Sequence, residues 1–367
     1  MTSPKLHIGI VCGGRSEVFA LSVKGGVDIA AAVDPSRYKV SFFVLDQDHR
    51  WFLSQAGAFA GPRGLEAFAF DAAHMTEVMI GPRGSVIDKC TGEQLATLDV
   101  VFPTLYGLYG EDGKLQGMLE MLDLPYVGAG VTASAICMDK DIAKRLVANA
   151  GVATAESILL RSASQVTFDE ASEQLGVPFF VKPCRMGSSV GISKVRTAEE
   201  YRAAIAEAFR YGRKVMLERA SFGREIRTAI IGNEHPQVAM TIGEVPLGGG
   251  LDFYDYHAKL NNPINRIPAS LDEQVAEHVR ELSRRVYQAL EIEGMARIDW
   301  FLEADGTVLF GEANTLPCFS AGSTFRELWA HSGVENSGLI GQLVALAQAR
   351  FKRNREFAYS GLLAPVS

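Results

Sequence analysis

Apolar residues in the first third of the chain fall into short solid blocks separated by stretches of helical spacing. LHIGIVC (6–12) is a continuous apolar run of strand length, and after Gly13-Gly14 the segment SEVFALSVKGGVDIAAAV (16–33) places apolar residues at helical intervals. YKVSFFVLD (38–46) and LDVVFPTL (98–105) read as two more buried strands, with a more irregular stretch from about 50 to 97 between them. Strands alternating with helices predict an α/β architecture on a parallel sheet. GEDGKLQGMLEMLDLPYVGAG (110–130) closes this first unit, and a helix is predicted from Asp139 to Ala150. A Gly-rich break then opens a second unit with strands VPFFVKP (177–183), VGISKV (190–195) and KVMLER (214–219) and a helix over 198–210. A third unit, roughly 223–350, carries helices at 271–291 and 336–352.

The third unit also holds ARIDWFLEADGTVLFGEANTLP (296–317), an apolar hairpin with charges inside it. Asp305-Gly306 between two apolar runs predicts a two-residue type I′ turn. Counting outward pairs Ala304 with Thr307, Leu302 with Leu309, Trp300 with Gly311, Asp299 with Glu312, and Arg297 with Asn314. Alternation puts Arg297, Asp299, Glu312 and Asn314 on one face and Ile298, Trp300, Leu302, Leu309 and Ala313 on the other. Opposed side chains lie roughly 4.5 to 5.5 Å apart at Cβ, so two acids there repel and need neutralising. Two readings follow from the hairpin alone. Two carboxylates and an amide oxygen suit Mg²⁺, which keeps its other positions for water and phosphate oxygens; or Arg297 bridges both acids.

Composition narrows the field. A chain of 367 residues suits two or three domains. No run approaches the ~18 apolar residues of a membrane span, and the opening MTSPKLHIGIVCGG enters a strand without a signal-peptide pattern, so a cytoplasmic location is expected. Five scattered cysteines without a CxxC suggest neither a disulfide framework nor a structural zinc site. A net charge of −7 argues against nucleic acid as the main partner.

Several stretches suggest anion chemistry. GAGVTA (128–133) fits a loose dinucleotide pattern but lacks a strand before it and a βαβ setting, and no GxxxxGK[ST] occurs. VKPCRMGSSVGISKV (181–195) is more telling: a strand ending in Lys182, a loop with Gly187, Ser188, Ser189 and Gly191, then another strand. Such a loop offers backbone N–H groups and hydroxyls to an anion and can fold over it as a lid. Lys140 and Lys259 would add point charges suited to phosphates. Glu218 and Glu225, flanking ASFG, are placed to contact an adenine amine and ribose hydroxyls, though surface glutamates are common.

The order of these motifs resembles the D-alanine-D-alanine ligase family of the ATP-grasp fold. The matching pieces are GGRS (13–16), GEDGKLQG (110–117), MDK (138–140), KPCRMGSSVG (182–191), Glu218 with Glu225 seven residues on, FYDYHAK (253–259), ARID (296–299) and EANTLP (312–317), spread over almost the whole chain. The resemblance implies a three-domain α/β ATP-grasp enzyme: an N-terminal parallel-sheet domain on the first-substrate side (1–137), a central lid domain (138–222), and a C-terminal domain with the metal and second-substrate site (223–367). It implies ATP, held by Lys140, Lys182, Ser189, Glu218, Glu225 and Lys259. Two Mg²⁺ ions, with Mn²⁺ as a substitute, would sit on Asp299, Glu312 and Asn314. Arg297, Ser188, Lys259 and the backbone N–H of Cys318 would do catalytic work, and Val18, Tyr106, Glu111, Ser188, Leu260, Ser323 and Thr324 would line the amino-acid sites. The implied reaction joins two small amino acids through an acyl phosphate, giving a peptidoglycan precursor dipeptide, in a cytoplasmic homodimer.

The departures from the family cluster on the amino-acid side. Val18 stands where the family has a glutamate facing the first ammonium, with Glu17 one position earlier; Tyr106 stands for a histidine, Leu260 for a tyrosine and Cys318 for a glycine, and Gly322-Ser323-Thr324 replaces a His/Tyr-Ser-Leu stretch. An uncompensated buried ammonium costs about 3 to 5 kcal/mol. Either the first or second substrate differs from D-alanine, or Glu17 or His257 takes over the missing contact. A non-catalytic nucleotide-binding relative is the alternative of another class, against which the intact Arg297, Asp299, Glu312 and Asn314 speak.

Overall fold

In a computed structural model of the chain, the described residues are 4–14, 19–54, 75–246 and 266–357. Val18, Lys259 and Leu260, together with Glu17 and His257, lie outside them. No described helix is long and apolar enough to cross a membrane.

The first sheet uses β1 (Leu6–Gly13), β2 (Tyr38–Leu45), β3 (Trp51–Ser54), β4 (Met75–Ile80), β5 (Ser85–Asp88), β6 (Gln94–Thr97) and β7 (Val100–Pro103), in the order β6-β5-β4-β3-β2-β1-β7. The helix α1 (Phe19–Ala32) connects β1 to β2. β2, β1 and β7 are parallel and buried, as their apolar runs predicted. The stretch read as irregular adds an antiparallel extension, β3 to β6, whose strands are short and interrupted by polar residues. With β2 on one side of β1 and β7 on the other, a crevice opens at their carboxyl ends, the usual ligand position in open α/β sheets. The loop bearing Tyr106 and Glu111 follows β7 there and leads into α2 (Lys114–Met121).

Two helices follow, α3 (Val131–Met138) and α4 (Lys140–Asn149), the latter capped by Asp139, whose carboxylate accepts from the Ile142 N–H. α4 turns Ala143 and Val147 into a core shared with Val286, Ile298 and Phe310, so this helix packs with the C-terminal unit. The central unit is β8 (Ser157–Leu160), α5 (Phe168–Leu175), β9 (Phe179–Pro183), β10 (Ser193–Val195), α6 (Ala198–Ala208) and β11 (Val215–Arg219). Its antiparallel sheet, β10-β9-β11-β8, has its own core of Leu160, Phe179, Val181, Ile205 and Leu217.

The third sheet combines β12 (Arg224–Gly232), β13 (Gln237–Val238), β14 (Gly243–Val245), β15 (Gly294–Leu302) and β16 (Val308–Asn314). It is covered by α7 (Glu273–Ala289), α8 (Thr324–His331) and α9 (Asn336–Glu356). α9 presses Leu339, Ile340 and Leu343 into one core with Ile8, Ile10 and Phe102 of the first sheet. The two ends of the chain therefore form one body, while the central sheet carries a separate core beside it.

Candidate active site

The 296–317 hairpin departs from its expected tip. The Glu303 N–H donates to the Thr307 carbonyl at 2.9 Å, so the loop has three residues, with Gly306 in the left-handed region at φ +88°. The inner ladder is displaced by one: Leu302 faces Val308, Phe301 faces Leu309, and Trp300 faces Phe310. A bulge at Gly311 restores the count, and Asp299 faces Glu312 and Arg297 faces Asn314 as expected. Any side chain at Gly311 would crowd the bulge, since a Cβ there lies 2.9 Å from the Asp299 carbonyl oxygen. The buried face is anchored by Trp300, edge-on to Phe310 with ring centres 6.0 Å apart and donating from Nε1 to Thr228 Oγ1 at 3.2 Å.

On the polar face Arg297 grips Asp299 through two bonds, Nε to Oδ1 and Nη2 to Oδ2, each 2.7 Å. Burial works against the guanidinium's charge, but Asp299, Glu312 and Glu225 outweigh it and hold its pKa above the usual value. Glu312 faces Lys140, with Oε2 3.6 Å from Nζ. Asn314 completes the group, and its Nδ2 is buried without a hydrogen-bond partner among the described residues. No three His, Cys, Asp or Glu side chains converge among the described residues. A cation here would rest on two carboxylates, one amide and non-protein oxygens, a set that fits Mg²⁺.

These acids form one end of a cavity of about 240 Å³ between the second and third sheets, lined also by Lys140, Lys182, Ser188, Ser189, Glu218 and Glu225. Strand-end Lys182 reaches the Glu218 carboxylate, whose other oxygen accepts from Lys144 Nζ at 2.6 Å. Burial alone would raise the Glu218 carboxyl, yet Lys144 and Lys182 outweigh it and hold it at about 2. Glu225 Oε1 accepts from Arg227 Nη2 at 2.6 Å. Over the cavity, Ser188 and Ser189 take left-handed backbone angles, φ +50° and +61°, followed by Gly191 at +69°. Such a run turns backbone N–H groups toward one concave side, which suits an anion. The loop is rooted by Lys140, whose Nζ donates to the Met186 carbonyl at 2.8 Å, and by Arg185 on Asp139 at 2.8 Å.

Glu111 stands near the same charges. Its carboxylate accepts from the Gly107 N–H at 2.8 Å, and burial pushes it up to about 7 against the pull of Arg297 and Lys140. The remaining predicted residues gather around the turn after β16. Tyr106 accepts from the Phe319 N–H at 3.0 Å, next to Cys318, whose thiol lies 3.0 Å from Ser320 Oγ. Ser323 stands at the N-terminal boundary of α8 without a side-chain capping bond, its hydroxyl buried and unpartnered among the described residues, and Thr324 accepts from Arg227 Nη1 at 3.3 Å. Tyr106 also borders a second cavity, about 200 Å³, with Gly13, Gly14, Trp51, Leu105 and Leu108.

Sequence reasoning missed Lys144 and Arg227. Lys144 sits one helical turn after Lys140 on the same face of α4, and Arg227 alternates with Glu225 along β12, so spacing from residues already singled out could have found both.

Comparison with known proteins agrees with this geometry. The D-ala D-ala ligase N-terminus profile matches residues 7–129 and the D-ala D-ala ligase C-terminus profile matches residues 146–345. The chain is similar to D-alanine-D-alanine ligase A of Chromobacterium violaceum, 41% identical over 94% of this chain and 95% of that protein. The Escherichia coli D-alanine-D-alanine ligase A is 39% identical over 94% and 96%. Among solved structures, the D-alanine-D-alanine ligase of Coxiella burnetii superposes with a TM-score of 0.82 at 29% identity, covering 96% of both chains. The VanG D-Ala:D-Ser ligase of Enterococcus faecalis also reaches 0.82, at 27% identity over 94% of this chain and all of that one.

Proposed function

Because the chain belongs to the D-alanine-D-alanine ligase family, a family of ATP-dependent ligases that form a carbon-nitrogen bond, we propose that it joins two molecules of D-alanine. The observation that carries this reading is the single cavity in which Lys140, Lys182, Glu218 and Glu225 meet the opposed acids Asp299 and Glu312.

The carboxylate of the first amino acid attacks the γ-phosphorus of ATP, breaking its bond to the bridging oxygen and releasing ADP, and the deprotonated amine of the second then attacks the acyl phosphate, expelling phosphate and losing a proton as the amide forms. Asp299, Glu312 and Asn314 would hold Mg²⁺, which neutralises phosphate charge and orients the transferring group. Lys140 and Lys182 bind phosphate oxygens, Glu218 accepts from the adenine amine, and Glu225 from the ribose. Lys259, which the resemblance implies for the γ-phosphate, lies outside the described residues. Arg297 and the Cys318 N–H stabilise the charge that develops on the reacting oxygens. The loop bearing Ser188 and Ser189 keeps water from the acyl phosphate. The reading carries with it the division into units 1–137, 138–222 and 223–367, action in the cytoplasm on a peptidoglycan precursor, and a homodimer.

A second reading, a first substrate larger than D-alanine, is favoured by the apolar cavity beside Gly14 and Tyr106. One experiment addresses both. The pure protein is incubated with ATP, Mg²⁺ and a panel of D-amino and D-hydroxy acids, and phosphate and product are measured. D-Alanyl-D-alanine formed at a turnover near the enzyme median of about 10 s⁻¹ is the expected result. No acid-stimulated phosphate release from any member would refute the ligase, and a clear preference for a bulkier apolar acid would replace D-alanine.

A further inference from the structure

The nucleotide cavity contains a cation that the ligase reading gives no task. Lys144 is buried, with its side chain only 7% exposed, and its ammonium sits 2.6 Å from Glu218 Oε2. The other oxygen of Glu218 is held by Lys182. Each oxygen of the carboxylate thus accepts from one lysine.

The two lysines are not equivalent. Lys182 is the penultimate residue of β9, just before the β9–β10 loop, and is 16% exposed against 7% for Lys144. Lys144 is fixed to the rigid body of α4, whose Ala143 and Val147 are locked into the C-terminal core. A nucleotide entering this cavity presents its triphosphate to Lys182 and draws that lysine away from Glu218. The charge left on a buried carboxylate then needs a counter-ion that does not leave.

We infer that Lys144 is this resident counter-ion, a positioning residue that keeps Glu218 charged and turned so that one oxygen faces the exocyclic amine of adenine when Lys182 departs to the phosphates. Base choice follows from the same arrangement. At the position where adenine carries an amine donor, guanine carries a carbonyl oxygen. That oxygen would confront an ionised carboxylate, acceptor against acceptor, so guanine nucleotides are refused as long as Glu218 keeps its charge. Without Lys144, Glu218 either retains Lys182, which weakens the grip on phosphate, or takes up a proton and becomes a donor that guanine accepts. The inference rests on the nucleotide reading of the cavity.

The test is calorimetric binding of Mg·ATP and Mg·GTP to the full-length protein without amino acid, in four forms: unmodified, Lys144→Met, Lys144→Arg and Lys144→Met/Glu218→Gln. In Lys144→Met the ATP affinity should fall by at least about tenfold and the ATP-over-GTP preference should shrink. Lys144→Arg, which keeps the charge, should recover much of both. In the double variant, where no charge is left to balance, ATP should bind more tightly than to Lys144→Met. A purely structural lysine would weaken both nucleotides alike and leave their ratio unchanged. That result, or Lys144→Met binding ATP as the unmodified protein does, overturns the inference. Failure of the unmodified protein to bind Mg·ATP overturns the nucleotide reading and this inference together.

Discussion

Tyr106→Phe deletes one oxygen from a buried joint between distant parts of the chain. The phenol accepts from the Phe319 N–H at 3.0 Å across 213 residues of sequence, and burial raises its pKa well above the usual value, so it remains a neutral hydroxyl at ordinary pH. The ring of the phenylalanine fills the same space, and the Phe319 N–H becomes a buried donor without its partner, at a cost of about 1 to 3 kcal/mol. That energy need not unfold the protein. It should appear as local opening, and with tenfold per 1.4 kcal/mol the Phe319 amide should exchange with solvent roughly 5- to 150-fold faster. Since the neighbouring Cys318 N–H is the proposed oxyanion donor, kcat should fall by about tenfold while the KM for ATP stays put.

A second substitution separates this joint from general packing. α1 presents Gly25 to the phenol, and a Cβ at that position would lie 2.6 Å from the Tyr106 oxygen but 3.6 Å from the ring carbon that bears it. Gly25→Ala should therefore destabilise the unmodified protein and be tolerated better in the Tyr106→Phe background, giving a cycle far from additive. The reasoning fails if Phe319 exchange, kcat and additivity are all unaffected.

The pH dependence of two carboxylates should run in opposite directions. Glu218 is held at about 2 against an ordinary 4.5, so its stabilisation, on the order of 3 kcal/mol, is complete above pH 4.5 and lost as pH falls through 2. Glu218→Gln should accordingly be less stable at neutral pH in denaturant titrations, with the gap closing in acid. Glu111 is pushed up to about 7, so its contribution is complete below pH 4.5 and lost as pH rises through 7, and Glu111→Gln should flatten that stretch of the stability profile. Gly311→Ala should lower kcat by at least about tenfold with an unchanged circular dichroism spectrum, because its Cβ meets the Asp299 carbonyl at 2.9 Å and displaces a proposed metal ligand. Chelation of divalent cations should abolish ATP binding by the unmodified protein, and Asp299→Asn should weaken the Mg²⁺-linked part of the binding heat; an equal heat with and without metal would count against the metal site.

Much of the site was legible because its residues lie on regular strands, where alternation fixes the face each side chain takes. The outer hairpin pairs came out right, yet for a reason the sequence concealed. Asp305-Gly306 suggested a two-residue loop where a three-residue one forms, and the missing residue is returned by the bulge at Gly311. The two displacements cancel before Asp299, so only the inner pairs were misplaced. The strands β3 to β6 went unseen because each is short, and those of the outer edge alternate apolar with polar residues too briefly to establish a period. For Lys144, helical spacing from Lys140 gives its face on α4, but its burial is set by a partner on another unit, Glu218, which only the fold brings beside it.

The same limit explains why the hairpin allowed two readings of its charges. Three of the anions assigned to ATP or metal face a cation assigned to phosphate or to the transition state: Asp299 with Arg297, Glu312 with Lys140, Glu218 with Lys182. Opposed acids are tolerated on adjacent strands because these pairs neutralise them, though Arg297 grips Asp299 alone and Lys140, not Arg297, faces Glu312. On the proposed function, a magnesium nucleotide brings both signs at once, its metal to the acids and its phosphates to the lysines, so the internal pairs can exchange partners without stranding a buried charge. The salt bridge and the metal site are then two states of one electrostatic arrangement. A ligand of one sign alone, ATP stripped of its metal or the metal stripped of ATP, has to break such a pair and leave half of it uncompensated.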